Sequence, residues 1–162
     1  MTTKSIHNQV MNIQDVIDQI VNISGELDEK TIRWNPSEEE WSIMQVLSHL
    51  AEAIPYWVNE VDRVVEKPGS EWGRGLQDPA RLKAVENTGQ LSVQKTLGEV
   101  EALKAMVEKL STISEKQLHA ENPHRNFQKF CNKPVSFIIG HFIEEHVEKH
   151  LSQIKRNLSK LD

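Results

Sequence analysis

Apolar positions along this chain recur at intervals of three and four residues and rarely alternate, which is the pattern of helices that bury one face. Between Ile6 and Arg33, Val10, Ile13, Ile17, Ile20 and Leu27 repeat at helical spacing, while Asp15, Asp18 and Glu26 fall on other faces. This predicts a first helix over that span. Gly25 weakens its last turns, and Pro36 closes the region because a residue before proline disfavours helix. A second helix is predicted from Ser42, which with Gln45 has the spacing of a capping box. Val46, Leu47, Leu50, Ile54, Trp57, Val58, Val61 and Val65 form its apolar arc. Pro55 lies inside the arc, where it removes the bond to the Ala51 carbonyl and predicts a kink. Pro68-Gly69 ends the helix.

Residues 68–80 read as a glycine-rich loop around Trp72, a ring that would either fold back over a pocket or cover the end of the domain. Asp78-Pro79 has the form of an N-cap followed by a first-turn proline. A third helical region is predicted from there to about Leu110, interrupted near Thr88-Gly89, with Leu97, Val100, Leu103, Val107 and Leu110 in its second part. Residues 111–133 are polar and read as a connection with at most a short helical turn. A last helix is predicted from near Pro134 to about Leu158. No segment reads as a strand. Four amphipathic helices with a long crossover predict an all-α fold, a four-helix bundle with sites between facing helices. Residues 1–162 read as a single domain without internal repeats.

Composition narrows the function. A chain of 162 residues buries roughly 70% of its unfolded surface, so it needs no metal merely to fold, and metal-ligand residues read as functional. The formal net charge is -5, and no Lys/Arg run exceeds a dipeptide, which argues against nucleic acid as a partner. The single cysteine, Cys131, cannot form an internal disulfide and fits a reducing compartment. A catalytic thiol just before a helix start is the alternative reading. Met1 to Gln9 is polar and lacks a signal-peptide core, and no apolar run approaches the roughly 18 residues of a membrane span. The expectation is a cytoplasmic protein with no membrane partner.

The histidines carry the candidate chemistry. Turning the last helix by roughly 100° per residue puts Ile139, Phe142, Ile143, Val147, Leu151, Ile154 and Leu158 on one side. His146 and His150 fall inside that arc, one turn apart on the same face. Burying two imidazoles costs free energy unless each finds a partner, and a shared divalent ion would satisfy both. A pair of hydrogen-bonded core histidines fits the pattern as well. His49, at the edge of the second helix's arc near Ala53 and Tyr56, is the candidate third ligand. A boundary histidine bonded to a backbone carbonyl would look the same. His7 precedes the apolar pattern, His141 points away beside Glu145 and Glu148, and His119 and His124 lie in the polar connection. Surface positions account for all four. Gln153, Glu52 and Glu144 are the candidates for orienting the rings.

Two segments resemble the DinB-like superfamily, which includes bacillithiol S-transferases similar to YfiT. The run Trp41-Ser42-Ile43-Met44-Gln45-Val46-Leu47-Ser48-His49-Leu50, preceded by Trp34-Asn35-Pro36, is similar to the family's first metal-binding segment. The run His146-Val147-Glu148-Lys149-His150-Leu151-Ser152-Gln153-Ile154 is similar to its closing His-x-x-x-His-x-x-Gln-Ile segment. Lys149 stands where the family often has a second adjacent histidine, and Ser152 where it often has glycine. Asp78-Pro79 falls where such proteins start their third helix. The resemblance implies a bundle of up-down-down-up type with a long crossover, and a homodimer. It also implies one divalent metal ion, Zn or Ni, on His49, His146 and His150. The activity it implies is a metal-dependent transferase joining a low-molecular-weight, bacillithiol-like thiol to an electrophile. A metal-dependent hydrolase and a non-catalytic stress-related binding module are the alternatives.

Overall fold

The computed structural model describes residues 5–161; part of the polar N-terminal segment considered above, residues 1–4, lies outside them. Ser5 caps the first helix by accepting from the Asn8 amide, and α1 runs Ile6–Gly25, burying Val10, Ile13, Val16, Ile17 and Ile20. It stops eight residues short of the predicted end at Arg33. Glycine is costly inside a helix, and just beyond it Asp28 accepts from the Thr31 amide and starts a separate α2, Glu29–Ile32. A side chain that bonds its own backbone in this way competes with helix continuation.

The capping box forms as predicted. Ser42 Oγ accepts from the Gln45 amide, Gln45 Oε1 accepts from the Ser42 amide, and α3 runs Ile43–Glu66 with Pro55 inside it. Asp78 then accepts from the amides of Ala80 and Arg81, but the helix it starts, α4 (Pro79–Lys83), lasts five residues. A helical region thus opens at Asp78-Pro79 and breaks near Thr88-Gly89, both as predicted, and resumes as the long helix α5, Val93–Glu108, from a cap at Ser92. Between them Asn87 adopts φ +53° and a 3-10 turn spans Thr88–Gln90, so the chain has turned before α5 begins.

The connection after α5 is more ordered than its polarity predicts. It contains α6 (Glu115–His119), β1 (Glu121–Pro123), α7 (Phe127–Phe130) and β2 (Asn132–Pro134), with β1 and β2 paired antiparallel. A three-residue ladder is too short to show alternation, which is why no strand was predicted. The hairpin is tied to the loop after α3. Asn122, fully buried, accepts from the Gly69 amide through Oδ1, and its carbonyl accepts from Trp72 Nε1. The Trp72 amide donates to the Pro123 carbonyl. Trp72 is thereby folded inward, 1% exposed, against Trp57, Phe142 and His124. Gly73 has φ +99°, and a Cβ there would stand 2.5 Å from His124 Nε2, so only glycine fits. His124 is buried, contrary to its predicted surface position. The hairpin places its ring against Trp72 and Phe130, and its Nδ1 accepts from the Asn126 amide. The last helical run comprises α8 (Val135–Phe137), a π-helical stretch (Ile138–Glu144) and α9 (Glu145–Ser159).

Four long helices build the bundle: α1 packs on α5 and α9, and α3 packs on the same two. Lys104 meets Asp18, and Gln14 bonds the Lys104 carbonyl and Glu108, so α1 and α5 run antiparallel. Trp57 stacks on Phe142, His49 meets His146, and Asn157 donates to the Trp41 carbonyl, so α3 and α9 are also antiparallel. Gln9 and Asn12, near the start of α1, both donate to Glu144 at the start of α9. The directions are thus up, down, down, up. The segment joining the two parallel helices α3 and α5 must return along the bundle, which makes residues 67–92 the long crossover. Among the described residues no helix is long and apolar enough to cross a membrane.

Ser42→Ala removes one half of the capping box and leaves the Gln45 amide unpaired. A loss of about 1 kcal/mol in unfolding free energy is expected, with helical content unchanged. Urea titration followed by circular dichroism measures it, and an unmoved midpoint would contradict the assignment.

Candidate metal centre

His49 lies near the start of α3, where several side chains fix the backbone. Gln45 Nε2 donates to the Val85 carbonyl and Ser48 Oγ to the Ala84 carbonyl, which docks the crossover on this end of α3. Asn35 Nδ2 donates to Gln45 Oε1 and to the Glu40 carbonyl, holding the incoming chain. His146 and His150 stand one turn apart on α9. Antiparallel packing of α3 on α9 brings the three rings together, and a potential ligand atom of each lies within 4.8 Å of those of the others. His49 Nε2 is 3.0 Å from His146 Nε2. Of the described histidines, only these three converge.

The tautomers follow from the acceptors behind the rings. His146 Nδ1 faces the Phe142 carbonyl at 3.1 Å, inside the π-helical stretch, and His150 Nδ1 faces Gln153 Oε1 at 2.7 Å. A carbonyl oxygen only accepts, so each Nδ1 carries the proton and each Nε2 presents its lone pair. Of the three candidates for orienting the rings, Gln153 does so. Glu52 instead holds Arg74 through two bonds, and Glu144 is bound by Gln9 and Asn12 of α1. His49 Nδ1 is buried and has no hydrogen-bond partner among the described residues.

Burial also keeps the rings neutral. Loss of hydration lowers the pKa of His49 to about 2, of His146 to about 3 and of His150 to about 4. For His49 and His146, repulsion from a neighbouring histidine adds to the effect. Near neutral pH the corner therefore offers three uncharged nitrogen donors, a set that suits a divalent late transition metal. Three protein donors leave further coordination positions open, as in catalytic sites. The rings border a cleft of about 1640 Å³. Trp41 lines the same cleft beside the rings, tilted at 5.0 Å from His49 and stacked at 6.2 Å on His150.

The remaining histidines stay apart from this cluster. His7, His119 and His141 are exposed. His124 lines the same cleft but spends Nδ1 on the Asn126 amide, within the aromatic group around Trp72. Cys131 is exposed in the turn before β2 and does not line the cleft. Sequence reasoning missed Trp41, Arg74 and Arg81. Trp41 had a signal, standing directly before the capping box. The arginines lie in a segment without periodicity and had none.

A family model for the DinB superfamily matches residues 13–154. No curated protein matches the chain by sequence. Among solved structures, the chain is similar to YfiT from Bacillus subtilis, described as a probable metal-dependent hydrolase with an unusual four-helix bundle topology. The TM-score is 0.82 at 11% identity, over 99% of this chain and 90% of that one. At that identity the likeness is one of fold.

The neutral rings predict a pH dependence. In the unfolded chain these histidines take up protons near pH 6.5, while in the folded chain they resist until about pH 4 or lower. Their folded pKa values are depressed, so below pH 6.5 the unfolded state binds more protons and stability falls with pH. Metal-stripped protein should lose thermal stability between pH 7 and 5, and His49→Gln should flatten that loss. Equal slopes for the two proteins in scanning calorimetry would refute the assignment.

Proposed function

Because the chain belongs to the DinB superfamily, we propose that His49, His146 and His150 hold one divalent metal ion, Zn or Ni. On this reading the protein is a metal-dependent transferase that joins a small thiol to an electrophile. The observation that carries the proposal is the convergence of three neutral imidazoles from two antiparallel helices on one corner of a large cleft. When bound, the ion would favour the thiolate form of a coordinated thiol, which is the attacking species.

The chain's own groups have defined tasks in this reading. Phe142 and Gln153 fix the tautomers of His146 and His150, so no proton must leave either Nε2 before a ligand binds. Trp41 packs an indole against His49 and His150 at the cleft wall. At about 1640 Å³ the cleft exceeds the roughly 300–1,000 Å³ of an ordinary single-ligand pocket, which leaves room for a thiol and a second molecule. Sulfur attacks the electrophilic carbon, the leaving group departs with its electron pair, and the thiol proton passes to solvent. Hydrolysis is the second reading, favoured by the description of YfiT as a probable metal-dependent hydrolase, and it predicts turnover without any thiol.

Two outcomes are expected. Protein purified without chelator should carry Zn or Ni by elemental analysis, and His150→Ala should lose most of it while keeping its helical circular dichroism, because the apolar core is complete without the site. Retention of metal by the variant would remove His150 from the ligand set. Metal-loaded protein given a bacillithiol-type thiol and a small electrophile should consume the thiol faster than chelated protein. If no thiol tested is consumed above that control, the transferase reading fails, and turnover of hydrolysable substrates alone would favour the second reading.

A further inference from the structure

The cleft is cationic in a chain whose net charge is -5. Its carboxylates are mostly engaged: Glu40 pairs with Lys160, Asp78 with Arg74, and Glu145 lies beside His141. Its cations divide into two kinds. Arg74 is neutralised, held by both oxygens of Glu52 and lying 4.1 Å over the Tyr56 ring, with its side chain only 5% exposed. Arg81, Arg125, Lys129, Lys149 and Arg156 line the cleft with no carboxylate at ion-pair distance among the described residues.

Arg81 differs from the other four in how it is held. It is half-buried on α4, and its guanidinium donates through one nitrogen to the Leu76 carbonyl, at 3.0 Å. α4 is pinned over the start of α3 by Ser48 and Gln45, on either side of the turn that leads to His49. A half-buried guanidinium fixed at one edge keeps its other donors in the planar fork that matches an oxyanion. Arg81 and all three histidines line the same cleft, so a cation without a counter-charge shares the space that the candidate metal corner opens onto.

We propose that Arg81 recognises an oxyanionic group, a carboxylate or a phosphate, on the small molecule that occupies this cleft. Arg125, Lys149 and Arg156 form a cationic rim that attracts it. This inference rests on the reading of the cleft as a substrate site, and it restricts that site to anionic substrates. Lysine at position 81 would keep the charge but lose the fork, so it should restore part of the binding.

The test is anion binding by calorimetry, with inorganic phosphate and succinate as separate probes, to the purified protein and to the same protein after chelation. Wild-type protein should bind one or both probes, more weakly at high salt. The probe with the higher affinity identifies which oxyanion the site prefers. Arg81→Ala should weaken the preferred probe at least ten-fold, Arg81→Lys should fall between, and metal content by elemental analysis should not change in either. Because binding is also read on chelated protein, a failure of the metal reading leaves the Arg81 result interpretable. Wild-type affinity in a folded, metal-replete Arg81→Ala protein, or no binding of either probe to wild type, would overturn the inference.

Discussion

Burying three imidazoles side by side in the seam between α3 and α9 strips each ring of hydration, and the rest of the site follows from how that cost is met. The rings stay unprotonated, because burial costs a charged ring much of its hydration and one positive charge would repel a second. Two of them recover hydrogen bonds at Nδ1, from the Phe142 carbonyl and from Gln153. Their Nε2 lone pairs are then left facing a common point. A ligand that accepts lone pairs completes the arrangement, which is why the corner fits a metal ion better than a plain polar core does.

The direction of the helices supplies the cleft beside that corner. α3 and α5 run parallel, so the 67–92 segment must travel back along the bundle, and it does so across the end of α3 that carries His49. In doing so it brings Arg74, Arg81 and α4 to one wall. The β1–β2 hairpin then grips the same segment through Asn122, Trp72 and Pro123. Trp72, Trp57, Phe142 and His124 pack where the two connections meet. An up-down-up-down bundle with short loops would have neither connection, and its histidine corner would open directly to solvent.

Much of this was legible along the chain. The periodic apolar arcs located all four long helices, because one buried face repeats with the helical turn wherever the helix lies in space. The capping box at Ser42 and the four-residue spacing of His146 and His150 were equally readable, since both are set by geometry within a single helix. One error fell where a short side-chain cap outcompeted periodicity, at Asp28, which splits the predicted first helix. The β1–β2 ladder and the burial of His124 were invisible for a related reason. Each depends on one or two long-range bonds made by residues that look like ordinary polar loop.

What the chain determined by itself, then, is every feature carried by local geometry: helix faces, caps, and the pairing of two histidines on one turn. Only the tertiary structure decided that His49 completes the cluster, that Gln153 rather than Glu52 or Glu144 orients a ring, and that Arg81 stands over the cleft without a counter-charge. Those outcomes depend on helix direction and on the path of the crossover. Direction and path are set by packing between segments far apart in sequence, and no local spacing encodes them.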